Sequence, residues 1–203
     1  MKPPYSKEDV GDAKYSVELG PLGGRDLDSY LRLLEIPLED LKGKKILDLG
    51  SGKRLKLADD LKEKNIDAEV YSFSPIFAET PARATAALVA EPDSYEKTVA
   101  GMGEALPYAD ESFDRVIALH VFEYVDEAER RSAFVLEVCR VLAPGGIAYI
   151  GPLHGGEEYL RKLVPNSNEL PNHVHISFPE LKKRADAAHL VRLEKDAEAT
   201  NYE

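Results

Sequence analysis

Residues 44–52 read Lys-Lys-Ile-Leu-Asp-Leu-Gly-Ser-Gly, and they constrain the fold more than any other part of the chain. A short apolar run ends in an acid and two glycines, and apolar residues at helical spacing follow. This pattern predicts a buried parallel strand that turns tightly into a helix, because glycine accepts positive φ and lets a ligand approach the main chain. The free N–H groups of that helix would point at the ligand. We therefore expect a nucleotide-type ligand above the strand end.

The composition limits the classes of partner. A chain of 203 residues with 43% hydrophobic and 31% charged residues fits one globular domain with a sizeable core. The net charge of −11 disfavours a nucleic-acid partner, since binding to a phosphate backbone needs a basic surface. The single cysteine, Cys139, cannot form an internal disulfide, and its apolar neighbours predict a buried thiol.

We recognise no targeting signal in the sequence. Its start, Met1-Lys2-Pro3-Pro4, lacks the apolar core of a secretory signal. We found no apolar run long enough to cross a bilayer. We therefore expect a cytoplasmic protein without a membrane partner.

Apolar runs alternate with helical patterns, which favours an α/β fold with a doubly wound, mostly parallel sheet and helices on both faces. Asp26–Glu35 is a predicted helix, and residues 1–25 are expected to form an arm or lid. The predicted strands are Lys44–Leu49, Ala68–Phe73, Lys97–Met102, Phe113–His120, Ile147–Ile150 and Val191–Lys195. Leu55, Ala58 and Leu61 mark the apolar face of a second predicted helix. Further predicted helices begin at Ser74-Pro75, at Asp126 with a capping box to Glu129, and at Ser177 with a capping box to Glu180.

We predict a single domain over residues 1–203. It would comprise an arm and helix at 1–43, a ligand-binding core at 44–152, and a cap insert with a C-terminal helix and strand at 153–203. Only a polar tail follows the last predicted strand, so we expect the sheet to lack its last strand and end in an incomplete hairpin. A homodimer would cover the open edge.

Three segments in order resemble class I S-adenosylmethionine-dependent methyltransferases of the small-molecule type. Ile46–Gly52 resembles the family's first motif, and Glu104–Asp114 resembles its acidic loop before strand four. Arg140–Gly146 resembles the turn before strand five, and His120–Tyr124 the segment after strand four. Together they span about residues 40–150. The resemblance implies a Rossmann-like methyltransferase fold, S-adenosylmethionine as cofactor, S-adenosylhomocysteine as product and a small-molecule acceptor.

Ligands of such sheets bind beyond the carboxyl ends of the strands. With the resemblance, this assigns cofactor binding to residues at four strand ends. They are Asp48, Gly50, Ser51, Gly52, Arg54, Ser72, Phe73, Met102, Glu104 and His120. His120 and His154 are candidate bases, and His154 with Tyr15 is a candidate for the acceptor pocket. We predict no metal site, because the histidines lack zinc spacing with cysteine.

The cofactor motif departs from the family at three positions. Arg54 stands where the family usually has a third glycine, and Ser72 stands where it has an acid for the ribose hydroxyls. Met102, with Glu104 two residues on, stands where it often has an Asp for adenine. A serine makes one weaker bond where a carboxylate makes two, which costs about 1–3 kcal/mol of binding. Arg54 could hold the cofactor carboxylate or point into solvent.

Other interpretations stay open. Asp48 could bond only within the glycine turn, and His120 could make a structural hydrogen bond. The three departures also fit a non-catalytic binding or scaffold protein with a decayed cofactor site, because a fold does not fix a function. A third alternative is a nucleotide-binding enzyme of another class, in which Arg54 pairs with a phosphate. A dehydrogenase is disfavoured, since Leu55 replaces the third glycine of its motif.

Overall fold

Seven strands form one sheet at the centre of the computed structural model, which describes residues 25–52, 55–78, 96–122, 125, 127–154, 161–162, 164, 169–181 and 188–198. The strands are β1 (Lys44–Leu49), β2 (Ala68–Phe73), β3 (Thr98–Val99), β4 (Phe113–Leu119), β5 (Leu142–His154), β6 (Val174–Ser177) and β7 (Ala188–Lys195). Their order across the sheet is β3-β2-β1-β4-β5-β7-β6. The first five strands in this order run parallel, and β7 runs antiparallel to β5. The predicted doubly wound, mostly parallel sheet is thereby confirmed.

The expectation that the sheet lacks its last strand is wrong. β6 pairs with β7 in antiparallel register from Val174–Lys195 to Ser177–Arg192, so the closing hairpin is present. Ser177, predicted to cap a helix, is instead the last residue of β6, and Glu180 forms a β-bridge with His189. The capping-box pattern predicted the wrong structure here, because a serine followed three residues later by a glutamate can also occur in an extended chain. Residues 182–187 of that predicted helix lie outside the described residues, and the homodimer stays a prediction.

The α-helices of the described residues are α1 (Leu27–Leu34), α2 (Lys56–Glu63) and α3 (Ala128–Val141), and Leu38–Leu41 forms a 3-10 helix. α1 begins as predicted, because the Asp26 side chain accepts a hydrogen bond from the N–H of Ser29. α3 begins one residue later than predicted, with Glu127 as its N-cap, and Asp126 lies outside the described residues. After Ser74 the chain forms a 3-10 turn over Pro75–Ala78, and residues 79–95 are also outside them.

Each face of the sheet packs on different helices. Since side chains alternate along β1, Leu47 and Leu49 join the core beneath α3, while Ile46 joins the core beneath α1 and α2. Cys139 is buried in the α3 core, as predicted. Among the described helices, none has the length and apolar content needed to cross a membrane.

α1 is bound to α2 and to the sheet through polar contacts inside an apolar interface. The N–H of Leu27 donates to Asp60 Oδ2 over 2.8 Å, and Lys56 Nζ lies 2.6 Å from Asp60 Oδ1. Tyr30 is 2% exposed and donates its hydroxyl to Asp48 of β1. α1 is therefore part of the packed core, although the preceding residues 1–24 lie outside the described part of the chain.

Arg140 holds the loop between β3 and β4 against α3. Its Nη2 donates to the carbonyl of Leu106 over 2.9 Å, and its Nη1 donates to the carbonyl of Tyr108 over 2.8 Å. Nη1 also contacts Asp110, and Nε contacts Glu137, each over 2.7 Å. Carboxylates and carbonyls share one guanidinium, which presents five donors in a fixed geometry. The loop is thereby fixed, with its Glu104 end directed toward the carboxyl edge of the sheet.

Replacing Arg140 with methionine tests this contact set. Arg140→Met keeps the aliphatic stem but leaves the two carbonyls without the Arg140 donor and leaves the half-buried Glu137 with the N–H of Leu106 as its donor. We expect the free energy of unfolding in urea to fall by about 2–4 kcal/mol. Lys42→Met is the matched control, because Lys42 makes an exposed ion pair with Glu39 and should lose less than about 1 kcal/mol. Equal losses in the two variants would contradict this account.

Candidate functional site

The carboxyl ends of β1, β2 and β4 meet at one edge of the sheet. Asp48 lies directly beside Ser72 of β2 and Ile117 of β4 in the strand register. Because registered neighbours in parallel strands project from the same face, Asp48 and Ser72 are adjacent below the glycine turn. Gly50–Gly52 follow β1 at this edge, as the sequence predicts.

The glycine turn depends on backbone geometry that side chains disfavour. Gly50 has φ 78° and Gly52 has φ 70°, and the N–H of Gly50 donates to the carbonyl of Phe73 over 2.7 Å. A Cβ on Gly50 would come within 2.2 Å of Val121 Cγ2. Val121, just beyond β4, therefore covers one side of Gly50, so the turn is less bare than the sequence suggests. A ligand would approach it over Ser51 and Gly52. Arg54 lies outside the described residues.

Two serine hydroxyls at this edge of the sheet are buried. Ser51 is 3% exposed and Ser72 is 1% exposed. Neither Oγ has a hydrogen-bond partner among the residues that the structure describes. An unsatisfied buried hydroxyl costs about 1–3 kcal/mol, so a polar ligand that reached them would recover this energy.

Asp48 forms a buried hydrogen bond with α1. Both of its carboxylate oxygens lie 2.9 Å from the hydroxyl of Tyr30, and Asp48 is 1% exposed. Burial raises the pKa of the Asp48 carboxyl to about 7, while the Tyr30 hydrogen bond and the charge of Arg25 oppose that rise. The structure thus shows a bond within the protein for Asp48, and its role toward a cofactor stays a prediction.

The loop after β3 is pressed onto the core on both sides of Met102. A Cβ on Gly101 would lie 2.6 Å from the Phe73 ring, and one on Gly103 would lie 2.3 Å from the Phe134 ring. The Phe73 side chain is itself 2% exposed, so it belongs to the core beneath the edge. These close approaches fix the position of Met102 next to the end of β2.

The Glu104 carboxylate already binds Arg130, so it is not a free hydrogen-bond acceptor for the adenine amino group. Its Oε1 accepts a hydrogen bond from Arg130 Nε of α3 over 2.6 Å, and its side chain is 15% exposed. This ion pair binds the Glu104 carboxylate to α3. A role for Glu104 in cofactor binding stays a prediction that must compete with Arg130.

The two candidate bases differ in how far the structure describes them. His120 is the first residue after β4, has φ 53°, and donates its N–H to the carbonyl of Gly151 over 3.0 Å. It therefore lies at the predicted edge, between β4 and β5. His154 ends β5, and its side chain and Tyr15 lie outside the described part of the chain. Within that part no group of His, Cys, Asp or Glu is arranged to hold a metal.

Sequence reasoning missed Tyr30 and Arg130. Tyr30 falls on the apolar face of the predicted helix Asp26–Glu35, where its hydroxyl needs a hydrogen-bond partner once it is buried. That requirement is a signal, but the sequence does not say which acid supplies the partner. Arg130 gave no signal, because an arginine on the polar side of a predicted helix usually faces solvent.

Comparison with known proteins identifies the family. The model of the methyltransferase domain family matches residues 47–150, which is half of the chain. No curated protein matches the chain.

Solved structures with low sequence identity share the fold. An S-adenosylmethionine-dependent methyltransferase from Methanosarcina mazei is 19% identical, with 76% of this chain and 93% of that chain covered and a TM-score of 0.52. A methyltransferase from Haloferax volcanii, solved in complex with the Trm112 methyltransferase activator, is 14% identical, with coverages of 83% and 91% and a TM-score of 0.59. One from Methanococcus maripaludis is 16% identical, with 83% of each chain covered and a TM-score of 0.51.

The matched segment contains the glycine turn, the acidic loop and most of β5, so the family match and the motifs fall on the same residues. The chain belongs to the methyltransferase domain family, and the class I S-adenosylmethionine-dependent methyltransferase predicted from its motifs is confirmed at the level of the family.

Proposed function

We propose that the protein transfers a methyl group from S-adenosylmethionine to a small-molecule acceptor and releases S-adenosylhomocysteine. The observation that carries the proposal is the pair of buried hydroxyls of Ser51 and Ser72 beside the glycine turn, neither of which has a hydrogen-bond partner among the described residues. The family implies this cofactor, and the polar atoms at the edge suit its ribose and amino-acid portions.

Each strand end contributes a separate contact to this proposal. The main chain of Gly50–Gly52 would lie against the amino-acid portion, and Ser72 Oγ would bond a ribose hydroxyl. Met102 and the backbone at Phe73 would border the adenine. Asp48 would offer a carboxylate to the ammonium group. Arg54 would be available for the cofactor carboxylate, with the alternative that it faces solvent.

Methyl transfer from this cofactor requires few catalytic side chains. When bound, S-adenosylmethionine supplies a methyl group already activated by a positive sulfur, so the protein mainly aligns the acceptor and excludes water. If the acceptor is a hydroxyl or an ammonium, a base must remove its proton, and His120 or His154 is the candidate. Of the predicted insert at 153–176, residues 153–154 and 174–176 belong to β5 and β6. Residues 1–25 and the remainder of the insert between those two strands would close over the acceptor.

A second candidate is a non-catalytic binding or scaffold protein on the same fold. Two observations favour it: Val121 covers one side of Gly50, and Arg130 engages Glu104. Both reduce the polar surface that a cofactor could use. This candidate predicts a protein that binds neither S-adenosylmethionine nor S-adenosylhomocysteine.

Calorimetric titration separates the candidates. We expect S-adenosylmethionine and S-adenosylhomocysteine to bind with one site per chain, and ATP and NAD to give no heat of binding. The affinity should be about one to two decades weaker than with a carboxylate at position 72, since the serine forfeits one charge-assisted bond. Absence of binding by both adenosyl compounds at millimolar concentration would defeat the enzyme proposal.

The Ser72 hydroxyl can be tested separately. In Ser72→Ala the ribose loses one hydrogen bond, so the dissociation constant of S-adenosylhomocysteine should rise about fivefold, which is about 1 kcal/mol. The free energy of unfolding should stay unchanged or rise, because the substitution removes an unsatisfied buried hydroxyl. Ser112→Ala is the control, since that hydroxyl bonds the carbonyl of Ala109 at the opposite edge. Unchanged affinity in Ser72→Ala would contradict the assigned contact.

A further inference from the structure

We infer that Tyr30 of α1 is a positioning residue for cofactor binding: its hydroxyl keeps Asp48 available as a carboxylate for the ammonium group of the ligand. The inference rests on the proposed function. It adds a helix outside the family motifs to the site, and it makes binding depend on a proton.

The contact between the two side chains suits both protonation states of the acid. The Tyr30 hydroxyl lies 2.9 Å from each carboxylate oxygen, so in the ionised form it can donate to either one. In the protonated form one oxygen can accept from Tyr30 while the carboxyl hydrogen is donated back to the phenol oxygen. Both residues are almost fully buried, so bulk water does not compete.

Few charges surround Asp48 in the described residues. Arg25, just before α1, favours its ionised form, and burial raises the pKa of Tyr30 well above its usual range, so Tyr30 acts as a neutral donor. From α2, Lys56 and Asp60 face α1 as an ion pair of 2.6 Å. β2 and β4 contribute the neutral side chains Ser72 and Ile117 beside Asp48.

The sign of the pH dependence follows from these groups. Because burial raises the pKa of Asp48 to about 7, the carboxyl is mostly protonated at pH 6 and mostly ionised at pH 8. A cationic ammonium group binds the ionised form better, so below neutral pH binding must release a proton. The dissociation constant should therefore fall as pH rises from 5.5 to 7 and level off above that.

Removing the phenol hydroxyl should move this profile. The Tyr30 hydrogen bond lowers the pKa of Asp48. Tyr30→Phe should therefore raise the pKa of Asp48 and shift to higher pH the point at which the dissociation constant becomes independent of pH. The loss of affinity for S-adenosylhomocysteine should be several-fold at pH 6 and should nearly vanish at pH 8.5. A purely structural role would weaken binding equally at every pH.

The controls separate charge from packing. Asp48→Asn keeps an acceptor for Tyr30 but has no ionisable group, so its affinity should be weak and independent of pH. Methylthioadenosine lacks the ammonium group, so its affinity for the unaltered protein should also be independent of pH. Tyr149→Phe removes another buried hydroxyl, which bonds Asp40 over 3.3 Å, and should leave the pH profile of binding unchanged.

The experiment is calorimetric titration of the full chain and the three variants with S-adenosylhomocysteine and methylthioadenosine from pH 5.5 to 8.5, in buffers of different ionisation enthalpy. Proton release in the unaltered protein and a shifted profile in Tyr30→Phe support the inference. A flat profile in the unaltered protein, or a uniform loss in Tyr30→Phe, overturns it while leaving the proposed function standing. Absence of binding by both ligands at every pH overturns the proposed function as well.

Discussion

The hydrogen bond from Gly50 N–H to the Phe73 carbonyl joins the exits of β1 and β2, and the candidate site depends on it. It forces the chain to turn at a glycine with positive φ while the strands are still in register. The same register brings Asp48 and Ser72 side by side beneath the turn. A polar pair is thereby buried where an ordinary parallel sheet would place aliphatic side chains.

Two arginines of α3 bind the loop between β3 and β4. Arg140 gathers the carbonyls of Leu106 and Tyr108, and Arg130 engages Glu104 at the start of the same loop. Gly103 of this loop also packs against Phe134 of α3, so α3 helps to position Met102.

The strands and helices with strong local patterns were predictable, and the contacts that join them were not. β1, β2 and α1 follow from apolar periodicity within a few residues. β6 was missed because residues 153–176 were predicted to be a loop-rich insert and Ser177 to cap a helix; only pairing with the distant β7 selects extended chain. The bond from Tyr30 to Asp48 joins residues 18 apart on different elements, so no spacing rule predicts it. The Ser72 hydroxyl has no partner among the described residues, and this too depends on contacts that no sequence pattern predicts.

The central claim is that the glycine turn with its two buried serines holds an adenosyl group. A crystal structure of the protein with S-adenosylhomocysteine tests it most directly. The account predicts nucleoside density over Ser51 and Gly52, with a ribose hydroxyl within hydrogen-bond distance of Ser72 Oγ. Density at another place, or a side chain filling the space above Gly52 at saturating ligand, would contradict it.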